Sequence, residues 1–219
     1  MSSVCQIRVP KTGSTWLASQ LLSYGRFSGE EVCGTNHQSA EVLSLHPHEH
    51  RFFTTIRNPF QSAISFYMMG QRMKVMAKNM GPDKVPPAFL NGTGPLSDQP
   101  HNKDTMDLIR DDTVTVEQYV DQCPPNQLFY FYYNGTNPLT YEYVGDMADW
   151  ERSQFLLWKI LEFPVVVSAE WNVNPDKEVS DSYAINYSEA DFIARNSLDY
   201  EMYEFAKERH SQLLSIHGV

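Results

Sequence analysis

Val4-Cys5-Gln6-Ile7-Arg8-Val9 is a short run of apolar and β-branched residues, and Pro10-Lys11-Thr12-Gly13 ends it. From Ser14 onward Trp16, Leu17, Leu21 and Leu22 recur at helical spacing, and Gly25 predicts the stop. Strand, short loop and helix in that order open an α/β fold. The loop has the makings of an anion cradle. Gly13 lets backbone N–H groups approach a ligand, Ser14 and Thr15 add hydroxyls to the amides of a helix N-terminus, and Lys11 adds a point charge. An ordinary strand-to-helix turn would also use these residue types. The loop is not a Walker A motif, which needs a second glycine with the lysine after it; here Lys11 precedes Gly13. Mg²⁺-dependent nucleoside triphosphate chemistry is therefore disfavoured.

A second buried strand is predicted over residues 51–56 (Arg51-Phe52-Phe53-Thr54-Thr55-Ile56), ending at Arg57-Asn58-Pro59. A long helix follows over 60–78, where Ala63, Ile64, Tyr67 and Met68 share one face and Pro59 suits the start. Arg57 has the planar fork that grips phosphate through two hydrogen bonds. Arginine at the end of a strand serves equally as a structural ion-pair partner. Ser65, eight residues later, can add a hydroxyl from the helix. In open α/β sheets ligands bind outside the carboxyl ends of strands, and both loops leave such ends.

The remaining chain is read more coarsely. Residues 81–103 are rich in Gly, Pro and Asn and predict a surface loop; 114–120 predict a short helix; 134–145 read as irregular. An amphipathic helix is expected over 149–161 with Asp149 as N-cap, and a third buried strand over 164–168. Ser188 is placed to cap a helix beginning at Glu189, Ala190 and Asp191 and continuing, with one break, to about 216. Repeats, low-complexity runs and linkers are lacking, so residues 1–219 are expected to form one α/β domain with a short, mostly parallel sheet flanked by helices.

Among 219 residues, 17 are Lys or Arg and 27 are Asp or Glu, a net charge of −10. Binding nucleic acid through bulk positive charge is disfavoured. Residues 1–80 hold eight basic and four acidic residues, +4, whereas the rest hold nine and twenty-three, −14. A small anionic ligand belongs with the first third. Cys5, Cys33 and Cys123 are sparse and odd in number, so the expectation is reduced, mostly buried thiols without a disulfide or structural zinc site. His46, His48 and His50 alternate and would share one face of a strand, yet Pro47 favours a solvated loop. No run is long and apolar enough for a transmembrane helix, and no signal peptide is legible. The expected location is cytoplasmic or otherwise soluble.

Together the two loops resemble a family. Lys11-Thr12-Gly13-Ser14-Thr15-Trp16 resembles the 5′-phosphosulfate loop of sulfotransferases, and Arg57 with Ser65 resembles their 3′-phosphate motif. Thr35-Asn36-His37, Phe52 to Pro59, Asn137-Pro138-Leu139, Ser168-Ala169-Glu170-Trp171 and Asn196 to Tyr203 look like the galactose 3-O-sulfotransferase branch of the Golgi carbohydrate enzymes.

The resemblance implies a P-loop NTPase-like sulfotransferase fold. The implied activity moves a sulfuryl group from 3′-phosphoadenosine-5′-phosphosulfate (PAPS) to a hydroxyl of a carbohydrate, glycolipid or other small alcohol, without a metal. It implies that Lys11, Thr12, Gly13, Ser14 and Thr15 hold the phosphosulfate and that Arg57 and Ser65 hold the 3′-phosphate. Lys11 and His37 become the catalytic pair, with His37 as general base, a role that imidazole side chains suit. Two other readings compete: a nucleoside or small-molecule kinase using the first loop for ATP, and a non-catalytic module that keeps the nucleotide pocket.

Overall fold

In a computed structural model of the chain, residues 3–9, 11–34, 50–84, 100–133, 136–164 and 185–219 are described. All but the first residue of the expected strand at 164–168, and most of the predicted loop at 81–103, lie outside them. The backbone forms two compact units, each assembled from separate stretches of sequence: 1–59, 128–174 and 198–219 in the first, 60–127 and 175–197 in the second.

Among the described residues, the first unit is built on a four-stranded, all-parallel sheet. Its strands are β1 (Ser3–Ile7), β2 (Val32–Cys33), β3 (His50–Ile56) and β4 (Tyr143–Asp146), in the spatial order β2-β1-β3-β4. Cys5 pairs with Cys33 and Phe52, Ile7 with Thr54, and Ile56 with Asp146. Side chains alternate across the sheet as the strand period of two requires. Cys5, Ile7, Phe52, Ile56 and Val144 pack on one face with Tyr132, Tyr133, Tyr141 and Ala206. Val4, Phe53 and Tyr143 pack on the other with Trp16, Leu17, Leu21, Leu156, Leu157, Leu213 and Leu214. Both faces are therefore covered, as parallel sheets demand.

Helix α1 (Ser14–Ser28) runs three residues past the predicted stop at Gly25. The chain ends it instead at Gly29, which adopts the left-handed conformation and donates its amide to the Gly25 carbonyl at 2.9 Å. Arg51 ties β3 to the loops on either side through Glu30, at 2.9 Å, and Glu142.

Strand β4 corrects the irregular reading of 134–145. Asn137, Pro138 and Gly145 obscure a four-residue strand whose members are all buried. Asp149 precedes α5 (Trp150–Leu161) as expected, but its side chain makes no cap hydrogen bond; Asp146 instead accepts from the Ala148 amide at 2.9 Å and caps the short turn before it.

The cysteine expectation is also corrected. Cys5 and Cys33 form a disulfide, their Cα atoms 4.7 Å apart, while Cys123 is a buried thiol outside any disulfide. Spacing along the chain could not reveal this, because the pairing follows from β1 and β2 lying parallel with positions 5 and 33 in register.

Asp199, in the first turn of the helix Ser197–His217, accepts from the amides of Phe129 at 2.7 Å and Leu128 at 3.3 Å. It thereby caps the Phe129–Tyr133 turn. Burial pushes its carboxyl up to about 7, against the lowering effect of the two amides. A folded chain that holds a proton the unfolded chain releases gains stability as pH falls. The cost of the charged form is thus present above about pH 7 and is relieved as pH drops towards about 4, on the order of 4 kcal/mol at most. Asp199→Asn is expected to remove that slope, which urea unfolding of both proteins at pH 4 to 8 would measure. Parallel pH profiles would refute it.

The second unit is helical. It contains α2 (Pro59–Met80, from Phe60 onward), α3 (Pro100–Arg110), α4 (Val116–Gln122) and α6 (Glu189–Arg195). Tyr67 packs on Tyr119 with ring centroids 5.2 Å apart and donates to the Val114 carbonyl at 2.6 Å. A capping box at Thr115 and Gln118 starts α4, two residues later than predicted. Ser188 caps α6 by accepting from the Asp191 amide, and the expected break falls at Asn196. No described helix is long and apolar enough to cross a membrane.

Candidate functional site

The strand order reverses direction at β1 and β3: the chain goes from β1 to β2 on one side, then crosses to β3 on the other. Open parallel sheets form their ligand crevice at such a point, beyond the carboxyl ends of the two strands. Those two ends carry the predicted loops. Lys11, Thr12 and Gly13 follow β1 and lead into α1, and Arg57 is the first residue after β3. Neighbouring strands run about 5 Å apart, so the loops leave one edge side by side.

A direct hydrogen bond fixes that arrangement. Thr12 is fully buried, donates its hydroxyl to the Val9 carbonyl at 2.9 Å and accepts from the Thr55 hydroxyl at 3.0 Å. The hydroxyl of Thr12 is thus committed to pinning the loop onto β3, which leaves its backbone for a ligand. Lys11 is half-buried with φ at +62°, a conformation uncommon for a residue with a Cβ and concentrated where function requires it. Gly13 follows at φ +79°, and a Cβ there would stand 2.8 Å from Met147 Sδ and 2.9 Å from the Trp150 ring. The loop therefore rests directly on the start of α5.

Ser14 is buried, and its carbonyl accepts from the Gln6 side-chain amide at 2.7 Å. Thr15 is exposed. The first ladder bond of α1 runs from the Leu17 amide to the Gly13 carbonyl, so the amides of Ser14 and Thr15 precede the ladder at the positive end of the helix. Trp16 is fully buried, edge-on to Trp150 at 4.9 Å, and belongs to the core.

One cation of this edge was missed in the sequence. Arg8 donates to the Thr15 hydroxyl at 3.2 Å, and burial lowers its pKa. It lies on the same face of β1 as Val4 and Gln6, the face that α1 covers, and so reaches the start of that helix. The signal was an arginine at the end of an apolar run, three residues before Lys11. With Arg8 and Lys11 at the start of α1 and Arg57 leaving the adjacent strand, the edge can attract a multiply charged anion.

Ser65 lies on α2, in the second unit, and is half-buried. His37, His46, His48 and Glu170 lie outside the described residues. Comparisons with protein-family models, with curated proteins and with solved structures find no match.

Proposed function

We propose that this chain is a sulfotransferase with a P-loop-like fold that binds PAPS at the β1/β3 edge and transfers its sulfuryl group to an alcohol hydroxyl. The observation that carries the reading is the Thr12–Thr55 hydrogen bond, which holds the Lys11 loop against the end of the strand that delivers Arg57. Two cationic loops joined at a sheet switch point suit a ligand with phosphates at both ends. The donor set fits: a lysine, an arginine fork and helix N-terminal amides all favour phosphate and sulfate oxygens.

PAPS supplies the activated sulfuryl group. His37 would accept the proton of the acceptor hydroxyl as general base. Lys11 and the α1 amides would stabilise the negative charge of the leaving 5′-phosphate. By the resemblance, Thr12, Gly13, Ser14 and Thr15 would hold the phosphosulfate, and Arg57 and Ser65 would hold the 3′-phosphate. The acceptor is a carbohydrate, glycolipid or other small alcohol.

Calorimetry tests the reading. Adenosine 3′,5′-bisphosphate is expected to bind in the presence of EDTA, and Mg-ATP is not expected to displace it. Preference for Mg-ATP would favour a kinase. Binding of the bisphosphate without sulfate transfer across a wide acceptor panel would favour a non-catalytic module. His37→Ala is expected to lower turnover about 100-fold with bisphosphate affinity unchanged, in the range seen for loss of a general base. Turnover near the wild-type value would remove His37 from the mechanism.

A further inference from the structure

The sheet also gathers three metal-ligating side chains away from the β1/β3 edge. Ser3 pairs with His50 across β1 and β3, and Cys5 pairs with Cys33 across β1 and β2. Residues two apart on a strand share a face, so Ser3, Cys5, Cys33 and His50 all lie on one side of the sheet. One ligand atom from each of Cys5, Cys33 and His50 lies within 4.8 Å of the others. Among the described residues, the histidine run contributes His50, which joins two cysteines that are distant in sequence.

We infer that, once the Cys5–Cys33 disulfide is opened, Cys5, Cys33 and His50 bind one thiophilic divalent cation of the zinc class. Zinc bonds of about 2.3 Å to sulfur and 2.0–2.1 Å to nitrogen place tetrahedral ligand atoms about 3.5–3.8 Å apart, so ligands already within 4.8 Å need only side-chain adjustment. Two thiolates and an imidazole favour zinc over magnesium or calcium, which take oxygen ligands. The site stands on three adjacent strands, so its backbone is held whether or not the sulfurs are bonded to each other. Cys5 is buried while Cys33 and His50 are half-buried, which leaves a side open for water as fourth ligand.

Ser3 supplies outer-shell support. Its hydroxyl lies 2.5 Å from His50 Nδ1, the kind of contact that fixes the tautomer and orientation of a metal-bound imidazole. His50 opens β3 and Arg57 follows its other end, so about 20 Å of strand separates the cation from the anion-binding edge. The inference is independent of the sulfotransfer reading.

The chemistry balances in two steps. A small dithiol attacks one sulfur of the disulfide and resolves as its own cyclic disulfide, delivering two electrons and two protons to Cys5 and Cys33. The cation then displaces the two thiol protons to form two metal–thiolate bonds.

The test uses the full chain, reduced with a dithiol that is then removed without oxygen, and titrated with Co²⁺. One equivalent is expected to produce a thiolate-to-cobalt charge-transfer band that Zn²⁺ abolishes, and the oxidised chain is expected to produce none. Cys33→Ser should weaken Co²⁺ binding at least about 100-fold. His50→Gln should keep a thiolate band while lowering affinity about 10- to 100-fold. Cys123→Ser should match wild type. Absence of the band in reduced wild type, a full band in Cys33→Ser, or loss of the near-UV circular dichroism on reduction would each overturn the inference, the last because a preformed site requires a folded dithiol state.

Discussion

Arg57→Ala is expected to weaken binding of adenosine 3′,5′-bisphosphate by about 100- to 1,000-fold, the loss that follows when one member of a hydrogen-bonded charge pair is truncated. Arg57 is the first residue after β3 and is half-buried, two residues beyond the Thr55 that hydrogen-bonds Thr12. Its rigid fork loses little freedom when it closes on a phosphate, and the partly buried setting strengthens each charge-assisted bond. Arg57→Lys keeps the charge but not the fork, so an intermediate loss is expected. The binding loss should exceed any change in urea midpoint, because the residue lies beyond the sheet ladder. Calorimetry at fixed ionic strength decides the matter. Affinity of Arg57→Ala within about threefold of wild type would remove Arg57 from the site, and with it the paired-loop reading.

Gly34→Ala is expected to cost about 4 kcal/mol of folding stability, combining the left-handed backbone penalty with overpacking. Gly34 follows β2 at φ +75°, and a Cβ there would lie 2.1 Å from the Gln6 carbonyl oxygen and about 3 Å from the Gln6 carbonyl carbon and amide nitrogen. These are backbone atoms of a central strand and cannot swing aside. A loss of that size is a large part of the stability of a domain this long. Gly29 is the control: it has nearly the same φ, +76°, but nothing within 4 Å of its added Cβ. Gly29→Ala should therefore cost only the backbone penalty, about 1–2 kcal/mol. Guanidinium unfolding of the two variants separates the terms. Equal losses would mean that the approach of Gly34 to β1 does not limit stability.

The opening of the fold was legible because local signals agreed there. An apolar run, a Pro-Lys-Thr-Gly interruption and a helical repeat predict β1, its loop and α1, and the chain forms them. The same holds for β3, Arg57 and the helix after Pro59, and for the Ser188 cap. Strand β4 was not legible, since four residues flanked by Asn, Pro and Gly carry too little periodicity to register; Tyr143 and Val144 become a strand because β3 offers them a ladder. Arg8 was passed over for a similar reason, because nothing in one sequence says that its side chain meets Thr15.

Amino-acid order by itself determined the chemistry available at the ends of β1 and β3: a lysine and a glycine before a helix, and an arginine after a strand. These are properties of neighbours along the chain, where propensity and capping act. Only the tertiary structure decided which distant residues meet. Parallel pairing in the order β2-β1-β3-β4 brings the two loops to one edge, joins Cys5 to Cys33, and sets His50 beside them. Strand order and register depend on how whole faces are buried, and that free energy is spread over residues far apart in sequence.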